Sequence, residues 1–252
     1  MTQQRIDKLL VTLGHVGSRT LSQRVIEAGQ VDVYQTGHWH TVKKISQKFP
    51  ADTKFRLAEG AEQRYVSRAG LKLEHALDTT GLDIKGFNVF DVGQSTGGFT
   101  DCVLQRGCAR VTGVDVGQAQ IVEKLRTDTR VRVFEGINAR DLVPSQLGES
   151  EETFDLVVMD VSFISQTLIL PQLPIFLKPG GHLLSLVKPQ FEVGPEGIGK
   201  GGLVKDARLV PAVEARVRET LHAAGLIVQT FFASNIRGGD GNQEFFIFAR
   251  KR

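Results

Sequence analysis

The sequence predicts an α/β protein built on a mostly parallel sheet, with a small α+β domain at its N-terminus. From residue 88 onward, apolar and β-branched runs alternate with helix-compatible segments, which is typical of a parallel sheet covered by helices. The connection 235–242 between the last two runs is too short for a crossover helix, so the last strand is expected to be antiparallel. The predicted strands are 88–92, 110–115, 131–134, 154–160, 182–188, 226–234 and 244–250, and helices are expected at roughly 165–177 and 206–224.

The first 58 residues predict a separate small domain. Ile6, Leu9 and Leu10 recur at helical spacing, and Ser18 is a suitable N-cap for a second helix. Short strands are expected at 31–33, near residue 42 and at 54–57. Two helices and a few short strands over this length make a small α+β module. The predicted organisation is a domain over 1–58, a polar linker over 59–66 and a larger domain over 67–252.

Composition and charge favour a soluble protein with an anionic partner. The chain has 252 residues, of which 41% are hydrophobic and 23% are charged, as is typical of a globular protein. Residues 1–64 contain 10 Lys and Arg against 6 Asp and Glu, while the remainder of the chain is nearly balanced. This excess favours nucleic acid as a partner of the N-terminal domain, and a solvated basic surface is the alternative.

Cysteine content and hydropathy exclude several other classes of protein. Cys102 and Cys108 are the only cysteines, and they form neither a disulfide framework nor a metal-binding spacing. Residues 1–5 lack the apolar core of a signal peptide, and the most apolar stretch, 167–177, is too short to span a bilayer. We therefore expect a cytoplasmic protein without a membrane segment or a metal site.

The segment 90–100 predicts a cofactor-binding loop. A β-branched and aromatic run leads into a turn of small residues, and a helix-compatible run follows from Phe99. Glycines in such a turn let backbone N–H groups approach a ligand closely. Asp115 ends the next apolar run, 22 positions after Gly93, where an acidic residue typically accepts hydrogen bonds from the ribose of a nucleoside cofactor. The alternative is an ordinary turn between a strand and a helix.

Three charged residues are expected at one edge of the sheet. Asp160 ends the fourth predicted strand, Lys188 ends the fifth and Glu244 begins the last. Because the last strand is antiparallel, it begins at the carboxyl ends of the other strands, where ligands bind in open parallel sheets. Each charge alone is compatible with a solvated strand end, but their convergence beside the loop indicates a catalytic site.

Three segments of the N-terminal domain form a recognisable pattern: RIDKLL (5–10), SRT (18–20) and VIEAGQV (25–31). They resemble the S-four-type RNA-binding domain, whose two helices present basic residues to structured RNA. Such RNA is held largely through phosphate and shape contacts. The tip YQTGHWH (34–40) departs from the family, which often has Asp-Gly or Asn-Gly there. The resemblance implies RNA-binding roles for Arg5, Lys8, Arg19, Arg24, Lys43 and Lys44.

A second resemblance covers nearly the whole chain and rests on SRAGLKL (67–73), DVGQSTGGFTDC (91–102), LVVMDVSFIS (156–165) and VKPQFE (187–192). With the N-terminal domain, these segments resemble the TlyA family of ribosomal RNA 2′-O-methyltransferases, which have an FtsJ-like catalytic domain on a Rossmann-like class I methyltransferase sheet. Members are often called hemolysins, but nothing in this sequence resembles a pore-forming protein. The resemblance implies S-adenosylmethionine as the cofactor and a cytidine ribose in the ribosomal RNA of a ribosomal subunit as the target.

The resemblance also implies roles for individual residues. A catalytic Lys-Asp-Lys-Glu tetrad maps onto Lys72, Asp160, Lys188 and Glu244. The cofactor residues map onto Gly93, Ser95, Thr96, Gly97, Gly98 and Phe99, with Asp115 at the ribose and Asn138 at the adenine end. Gln94 stands where the family commonly has a small residue. Some members modify only large-subunit RNA and others modify both subunits, and the short termini here favour the large subunit.

The tetrad suits the chemistry of a ribose hydroxyl. The hydroxyl is a poor nucleophile, so its proton must leave as the new C–O bond forms. Lys188 is either the base or a stabiliser of the developing oxyanion, because nearby carboxylates favour its charged form and desolvation favours its neutral form. In-line positioning is a further source of rate. The segment 189–205, rich in Gly and Pro, is expected to be a flexible loop that closes over RNA.

Three other functions compete with this interpretation. A nicotinamide-dependent dehydrogenase would use the same first strand and helix, but Ser95 occupies the second glycine position of its motif. A base-N-methyltransferase usually carries Pro-Pro after the acid of the fourth strand, where this chain has Val161-Ser162. A non-catalytic RNA-binding or assembly factor would be favoured by loss of a tetrad member, and all four are present.

Overall fold

The computed structural model describes residues 3–16, 18–57, 64–148 and 153–252. The chain forms two compact units, Met1–Leu71 and Lys72–Arg252, which divide within the helix Arg68–Thr80. The predicted linker 59–66 lies mainly outside the described residues, so the predicted domain boundaries stay a prediction.

The N-terminal unit packs two helices against short strands. The helices are Ile6–Thr12 (α1) and Arg19–Glu27 (α2), and Ser18 caps the second by accepting a hydrogen bond from the Leu21 amide at 3.2 Å. The strands are Gln3–Arg5 (β1), Val31–Gln35 (β2), His38–Thr41 (β3), Lys48–Pro50 (β4) and Phe55–Leu57 (β5). β1 pairs with β4, and the other three strands form an antiparallel sheet in the order β3-β2-β5.

The second unit is organised around a seven-stranded sheet. Its strands are Asn88–Val92 (β6), Arg110–Asp115 (β7), Val131–Glu135 (β8), Phe154–Met159 (β9), Leu177–Val187 (β10), Leu226–Ala233 (β11) and Phe245–Lys251 (β12). Their order is β11-β12-β10-β9-β6-β7-β8. β8, β7, β6, β9 and β10 pair in parallel, whereas β12 is antiparallel to both β10 and β11. The predicted mostly parallel sheet with an antiparallel last strand is thus confirmed.

The helical segments differ from the prediction in one region. The α-helices are Arg68–Thr80 (α3), Gly98–Gln105 (α4), Glu123–Arg126 (α5) and Val210–Ala223 (α6). Where a helix was expected at 165–177, two short 3₁₀ helices form, Gln166–Leu168 and Leu170–Phe176. Pro171 and Pro174 explain the difference, because proline has no N–H and its ring clashes with the preceding helical turn. None of the helices in the described ranges is long and apolar enough to cross a membrane.

The core of the second unit lies on the central strands. Val89, Phe90 and Val92 on β6 are fully buried, as are the apolar residues that end β9. Phe90 stacks on Phe154 with 4.9 Å between ring centroids. Each large apolar side chain buried in this way contributes about 1.5–3 kcal/mol to folding. The ends of β6 and β9 are therefore held rigidly, and the loops that follow these strands start from fixed positions.

The segment 189–205 is tied to the connection between β11 and β12. Short 3₁₀ turns form at Pro189–Phe191, Pro195–Gly197 and Lys200–Gly202. Asn242 is buried and uses both ends of its side-chain amide: its nitrogen donates to the Gly202 carbonyl at 2.9 Å, and its oxygen accepts from the Val204 amide at 2.9 Å. These bonds hold the glycine-rich segment, which was predicted to be a flexible loop, against the rim of the sheet.

Asn242→Ala tests this tie. The substitution leaves the Val204 N–H and the Gly202 carbonyl without their partner, so it should lower the free energy of unfolding by about 1–3 kcal/mol. Amide hydrogen exchange at Val204 should become faster. Asn235→Ala, at an exposed asparagine of the same connection, is the control and should leave exchange at Val204 unchanged. Equal exchange rates in both variants would show that Asn242 does not hold the segment.

Candidate active site

The loop after β6 is shaped by close backbone contacts. Gly93 has a φ of +83°, and a Cβ there would collide with the carbonyl oxygen of Asp160, so only glycine fits. Gly97 has a φ of +94°, and a Cβ there would collide with Leu125. Ser95 also lies in the left-handed region, with a φ of +48°. The backbone of the loop at Gly93 therefore packs directly against the backbone of Asp160, the residue that follows β9.

Asp115 holds the loop from the end of β7. Its Oδ2 accepts a hydrogen bond from the Ser95 amide and its Oδ1 accepts one from the Gly117 amide, both at 2.7 Å. Each carboxylate oxygen has a second lone pair, so the group can accept further hydrogen bonds from a ligand. Asp115 therefore positions the loop and also presents oxygens to the cavity beside it.

Gln94 points into the protein interior. Its side chain is buried, and its Nε2 donates to the Thr100 hydroxyl at 2.8 Å. A Cβ at residue 113 would overlap the Gln94 amide, so Gly113 on β7 makes the room that this side chain occupies. The departure at position 94 is thus accommodated beneath the loop, and Gln94 does not line the cavity above it.

Asp91 is a site feature that the sequence analysis did not single out. It is fully buried, and its Oδ2 accepts a hydrogen bond from the Thr100 hydroxyl at 2.6 Å. Its Oδ1 has no hydrogen-bond partner among the described residues. Desolvation raises the pKa of Asp91 to about 7, and the charges of Asp160 and Asp115 act in the same direction. An acid within the otherwise apolar run Val89–Val92 was the signal available in the sequence.

A cavity of about 500 Å³ opens beside the loop. Four of the predicted cofactor residues line it: Gly93, Ser95, Asp115 and Asn138. The other four do not: Thr96, Gly97, Gly98 and Phe99. Phe99 is buried and packs on Phe246, with 6.3 Å between ring centroids. These four residues therefore belong to the loop and the start of α4 without facing the cavity. The assignment of all eight residues to cofactor binding stays a prediction.

The cavity has an acidic character. Asp115 and Asp160 line it, and no Lys, Arg or His does so within the described part of the chain. Apolar side chains, including Ile137 and Val161, form much of the remaining wall. Asn138 is exposed, and its Oδ1 accepts a hydrogen bond from the Arg140 amide at 3.1 Å. A ligand with apolar parts and a positive charge suits such a lining better than a pyrophosphate does.

The four residues of the predicted tetrad form two ion pairs. Lys72 Nζ lies 2.5 Å from Glu244 Oε2, and both side chains are buried. Lys188 Nζ lies 2.6 Å from Asp160 Oδ1 and also donates a hydrogen bond to the Ser162 hydroxyl at 2.8 Å. Buried charges are stable only when they are paired in this way. The catalytic role of the tetrad stays a prediction.

A second cavity, of about 520 Å³, contains the lysines of both pairs. Lys72, Lys188 and Glu244 line it, whereas Asp160 lines the first cavity. Ser162 and Phe163 line both cavities and form the wall between them. Phe163 has a φ of +65° and is 92% exposed, which is unusual for a large apolar side chain. No role was predicted for Ser162 or Phe163 from the sequence, although both directly follow Asp160 and Val161.

Glu192 joins the loops that follow β9 and β10. Its carboxylate is buried, and it accepts hydrogen bonds from the Ser165 hydroxyl at 2.6 Å and from the Gln166 amide at 2.8 Å. Burial raises the pKa of this carboxyl, and the bonds from Ser165 and Gln166 oppose the rise. The segments that carry Lys188 and Ser162 are consequently fastened to each other.

The predicted RNA-binding residues of the N-terminal unit fall into two groups. Arg5 and Arg19 pair with the buried carboxylate of Asp7, at 3.0 and 2.8 Å. Burial alone would raise the pKa of Asp7, but hydrogen bonds from Arg5, Arg19 and Gln23 outweigh it and hold this pKa well below its usual range. The second group is not fixed by this carboxylate: Lys8, Lys43 and Lys44 are exposed, and Arg24 is half-buried.

The fold and the two cavities together define a class I methyltransferase architecture. A solved S-adenosylmethionine-dependent methyltransferase from Mesorhizobium loti has the same fold, with a TM-score of 0.53 and 14% identity over 71% of this chain and 98% of that chain. The model of the FtsJ-like methyltransferase family matches residues 65–251. The chain belongs to the FtsJ-like methyltransferase family.

Three similar proteins extend the comparison over the whole chain. YqxC of Bacillus subtilis is 42% identical over 245 residues, which are 97% of this chain and 85% of YqxC. The 16S/23S rRNA (cytidine-2′-O)-methyltransferase TlyA of Mycobacterium tuberculosis is 38% identical over 251 residues, 98% of this chain and 89% of TlyA. The solved structure of a Streptococcus thermophilus protein described as a hemolysin has a TM-score of 0.76 and 40% identity, covering 100% of this chain and 89% of that one.

Asp91→Asn tests the environment beneath the loop. Because the pKa of Asp91 in the folded protein, about 7, exceeds its ordinary value of 3.8, the stability that this group contributes is complete at low pH and is lost as pH rises towards 7. Relative to the variant, the wild type should therefore lose up to about 1.4 kcal/mol of unfolding free energy per pH unit in this window. Urea denaturation of both proteins between pH 4 and pH 8 measures the difference, and parallel profiles would contradict the expected titration.

Proposed function

We propose that this protein transfers a methyl group from S-adenosylmethionine to the 2′-hydroxyl of a cytidine in ribosomal RNA. The proposed target is the RNA of the large subunit. One observation carries the proposal: a cofactor-sized cavity and a second cavity share the wall Ser162–Phe163, and the Lys188–Asp160 ion pair lies at that wall. Methyl transfer requires the cofactor and the substrate to be held next to each other, and the Lys188–Asp160 pair contacts both cavities.

The substrate is proposed from the relatives. The similar Mycobacterium tuberculosis protein is named a 16S/23S rRNA (cytidine-2′-O)-methyltransferase, and a Campylobacter jejuni protein 35% identical over 186 residues is named for 23S rRNA alone. Family membership and coverage of nearly the full chain support the same reaction here. The partner would be ribosomal RNA or the ribosomal subunit that contains it, and the site of action would be the cytoplasm.

S-adenosylmethionine fits the first cavity in size and charge. Its sulfonium and ammonium groups are positive, and the carboxylates of Asp115 and Asp160 line the cavity, where Asp160 also pairs with Lys188 from the neighbouring cavity. A dinucleotide would instead bring a pyrophosphate to these carboxylates, which is unfavourable. Asp115 would hold the ribose hydroxyls and the residues around Ile137 and Asn138 would contain the adenine. When bound, S-adenosylmethionine supplies an activated methyl group.

Equilibrium dialysis tests the choice of cofactor. S-adenosylmethionine should bind and NAD should not. Asp115→Asn should weaken S-adenosylmethionine about tenfold, because an amide accepts hydrogen bonds less strongly than a carboxylate and one charge is removed. Asp83→Asn changes an exposed acid outside the cavity and serves as the control. Equal binding of NAD would favour a dehydrogenase and overturn the assignment.

The two ion pairs suit proton removal from a ribose hydroxyl. Lys188 Nζ is held by Asp160 on one side and by the Ser162 hydroxyl on the other, so its position is fixed. At that position the Lys188 ammonium stabilises the negative charge that develops on the oxygen; alternatively, Lys188 first loses a proton to solvent and then accepts the hydroxyl proton as a neutral amine. The Lys72–Glu244 pair lines the same cavity and would orient the ribose. Phe163, exposed at the wall, offers an aromatic surface to the base.

The N-terminal unit is proposed to bind structured RNA through an S-four-type domain. Asp7 fixes Arg5 and Arg19, and a guanidinium fixed by one carboxylate still has N–H groups for a phosphate. Lys8, Lys43 and Lys44 are exposed and would add phosphate contacts. Phosphate contacts of this kind give affinity that falls as salt concentration rises.

Lys188→Ala tests the proposed chemistry. Methyl transfer to ribosomal RNA should fall by at least about a hundredfold, the range expected for loss of an acid–base group, while the affinity for S-adenosylmethionine stays within about twofold of the wild type. Lys85→Ala is the control, because Lys85 is exposed and precedes β6 at the opposite edge of the sheet. Unchanged turnover in Lys188→Ala would remove Lys188 from the mechanism.

Analysis of the methylated nucleosides separates the competing functions. Ribosomal RNA and isolated subunits would be treated with the enzyme and radiolabelled S-adenosylmethionine, digested and chromatographed. The expected product is 2′-O-methylcytidine. A methylated base would indicate a base-N-methyltransferase, and RNA binding without any methylated product would indicate a non-catalytic assembly factor. Mapping the modified position in RNA from cells with and without the protein identifies the target nucleotide.

A further inference from the structure

The three-stranded sheet of the N-terminal unit has one face that points away from the core and carries aromatic and charged side chains. In the sheet register, Tyr34 on β2 pairs with Trp39 on β3, while Asp32 pairs with Thr41 on one side and with Arg56 on the other. Directly paired residues of antiparallel strands share a face, and residues two apart do as well. These five residues therefore lie on one face, opposite the core residues Val31 and Val33 of the same strand.

Two aromatic rings dominate this face. The rings of Tyr34 and Trp39 lie 5.1 Å apart, and the two side chains remain 42% and 38% exposed. Arg56 places its guanidinium 4.6 Å from the centre of the Trp39 ring. The two rings are inclined at 58° to each other, so together with the arginine they form a larger aromatic surface than either ring alone, but not a single plane. Folding of the unit does not bury this surface.

A carboxylate holds the arginine in place. Asp32 accepts hydrogen bonds from Arg56 Nε at 3.0 Å and from the Thr41 hydroxyl at 2.8 Å. Side-chain hydrogen bonds from Thr41 and Arg56 lower the pKa of Asp32, so the carboxylate stays charged at neutral pH. The arrangement over Trp39 is therefore set before any partner arrives, which reduces the entropy lost on binding.

Positive charge flanks the rings. Lys54 directly precedes β5 and Lys43 lies two residues after β3, and both lysines are exposed. The acid on this face, Asp32, is occupied by Arg56. An aromatic surface bordered by lysines has the composition of a platform that stacks bases and contacts the neighbouring phosphates.

We propose that this face, Tyr34, Trp39 and Arg56 with Lys43 and Lys54, binds an unpaired base of the substrate RNA by stacking. The proposal rests on RNA being the substrate, as proposed above, and adds a contact distinct from Arg5, Lys8 and Arg19. Three strands of this length cover roughly 200 Å². That suits one or two bases and is much less than the roughly 800 Å² per partner of a standard protein interface.

Trp39 is the only tryptophan of the chain, so its fluorescence reports directly on this face. Titration of the full-length protein with single-stranded oligocytidylate should quench the emission saturably. A fully paired RNA duplex of equal length carries at least the same charge but offers no unstacked base, and should quench much less. Equal quenching by both would mean that charge alone attracts RNA to this unit. A change in emission with protein concentration alone would mean self-association of this face. Either result overturns the proposal.

A pair of substitutions at residue 39 separates stacking from folding. Trp39→Ala should weaken binding of dye-labelled oligocytidylate about tenfold, the effect expected for loss of one base–aromatic contact. Trp39→Phe keeps an aromatic ring and should stay within about threefold of the wild type. Circular dichroism checks that both variants are folded. Equal affinity of Trp39→Ala and the wild type would overturn the proposal.

Methyl transfer measured on the same proteins distinguishes this proposal from the function on which it rests. If the wild type methylates ribosomal RNA and Trp39→Ala does so with an unchanged KM, the function stands and the platform fails. If the wild type quenches with oligocytidylate but methylates no RNA, the platform stands and the function fails. Both proposals together predict an increased KM for RNA in Trp39→Ala with an unchanged kcat.

Discussion

The contact between Gly93 and the backbone of Asp160 is the constraint on which the site depends. β6 and β9 are neighbours in register, with Val92 opposite Met159, so the residues that follow both strands must meet. The Asp160 amide donates to the Val92 carbonyl at 3.0 Å, and only a residue without a Cβ fits at position 93. The loop that is predicted to bind the cofactor and the carboxylate that pairs with Lys188 are therefore built on one hydrogen-bonded strand pair.

Much of this arrangement follows from the sequence because strand ends are easy to locate. Apolar runs predicted every strand of the large sheet, and the antiparallel last strand followed from a connection too short for a helix. That was enough to bring Asp160, Lys188 and Glu244 to one edge. The region of Pro171 and Pro174 was harder, since its apolar residues have helical spacing but its prolines limit it to 3₁₀ turns.

Contacts that depend on side-chain direction were beyond prediction. Nothing local indicates that Gln94 turns inward, because the room for it is provided by Gly113 on another strand. The partition of the tetrad into Lys72 with Glu244 and Lys188 with Asp160 likewise depends on distances between elements far apart in the chain. Asp91, Ser162 and Phe163 were hidden for the same reason. Apart from the apolar run around Asp91, little in the sequence marks these residues, because their burial, bonding or exposure is set by tertiary packing.

The pairing of each lysine with its own carboxylate has a consequence for how the enzyme attracts its substrate. The two cations and two anions of these pairs cancel, so under the proposed function they would exert little net attraction on a polyanion. The excess of basic residues lies in the first 64 positions instead. If the proposed function holds, long-range capture of RNA and the chemical step would depend on separate sets of charges. Affinity for RNA could then change during evolution through surface lysines and arginines while the geometry around the reacting oxygen is preserved.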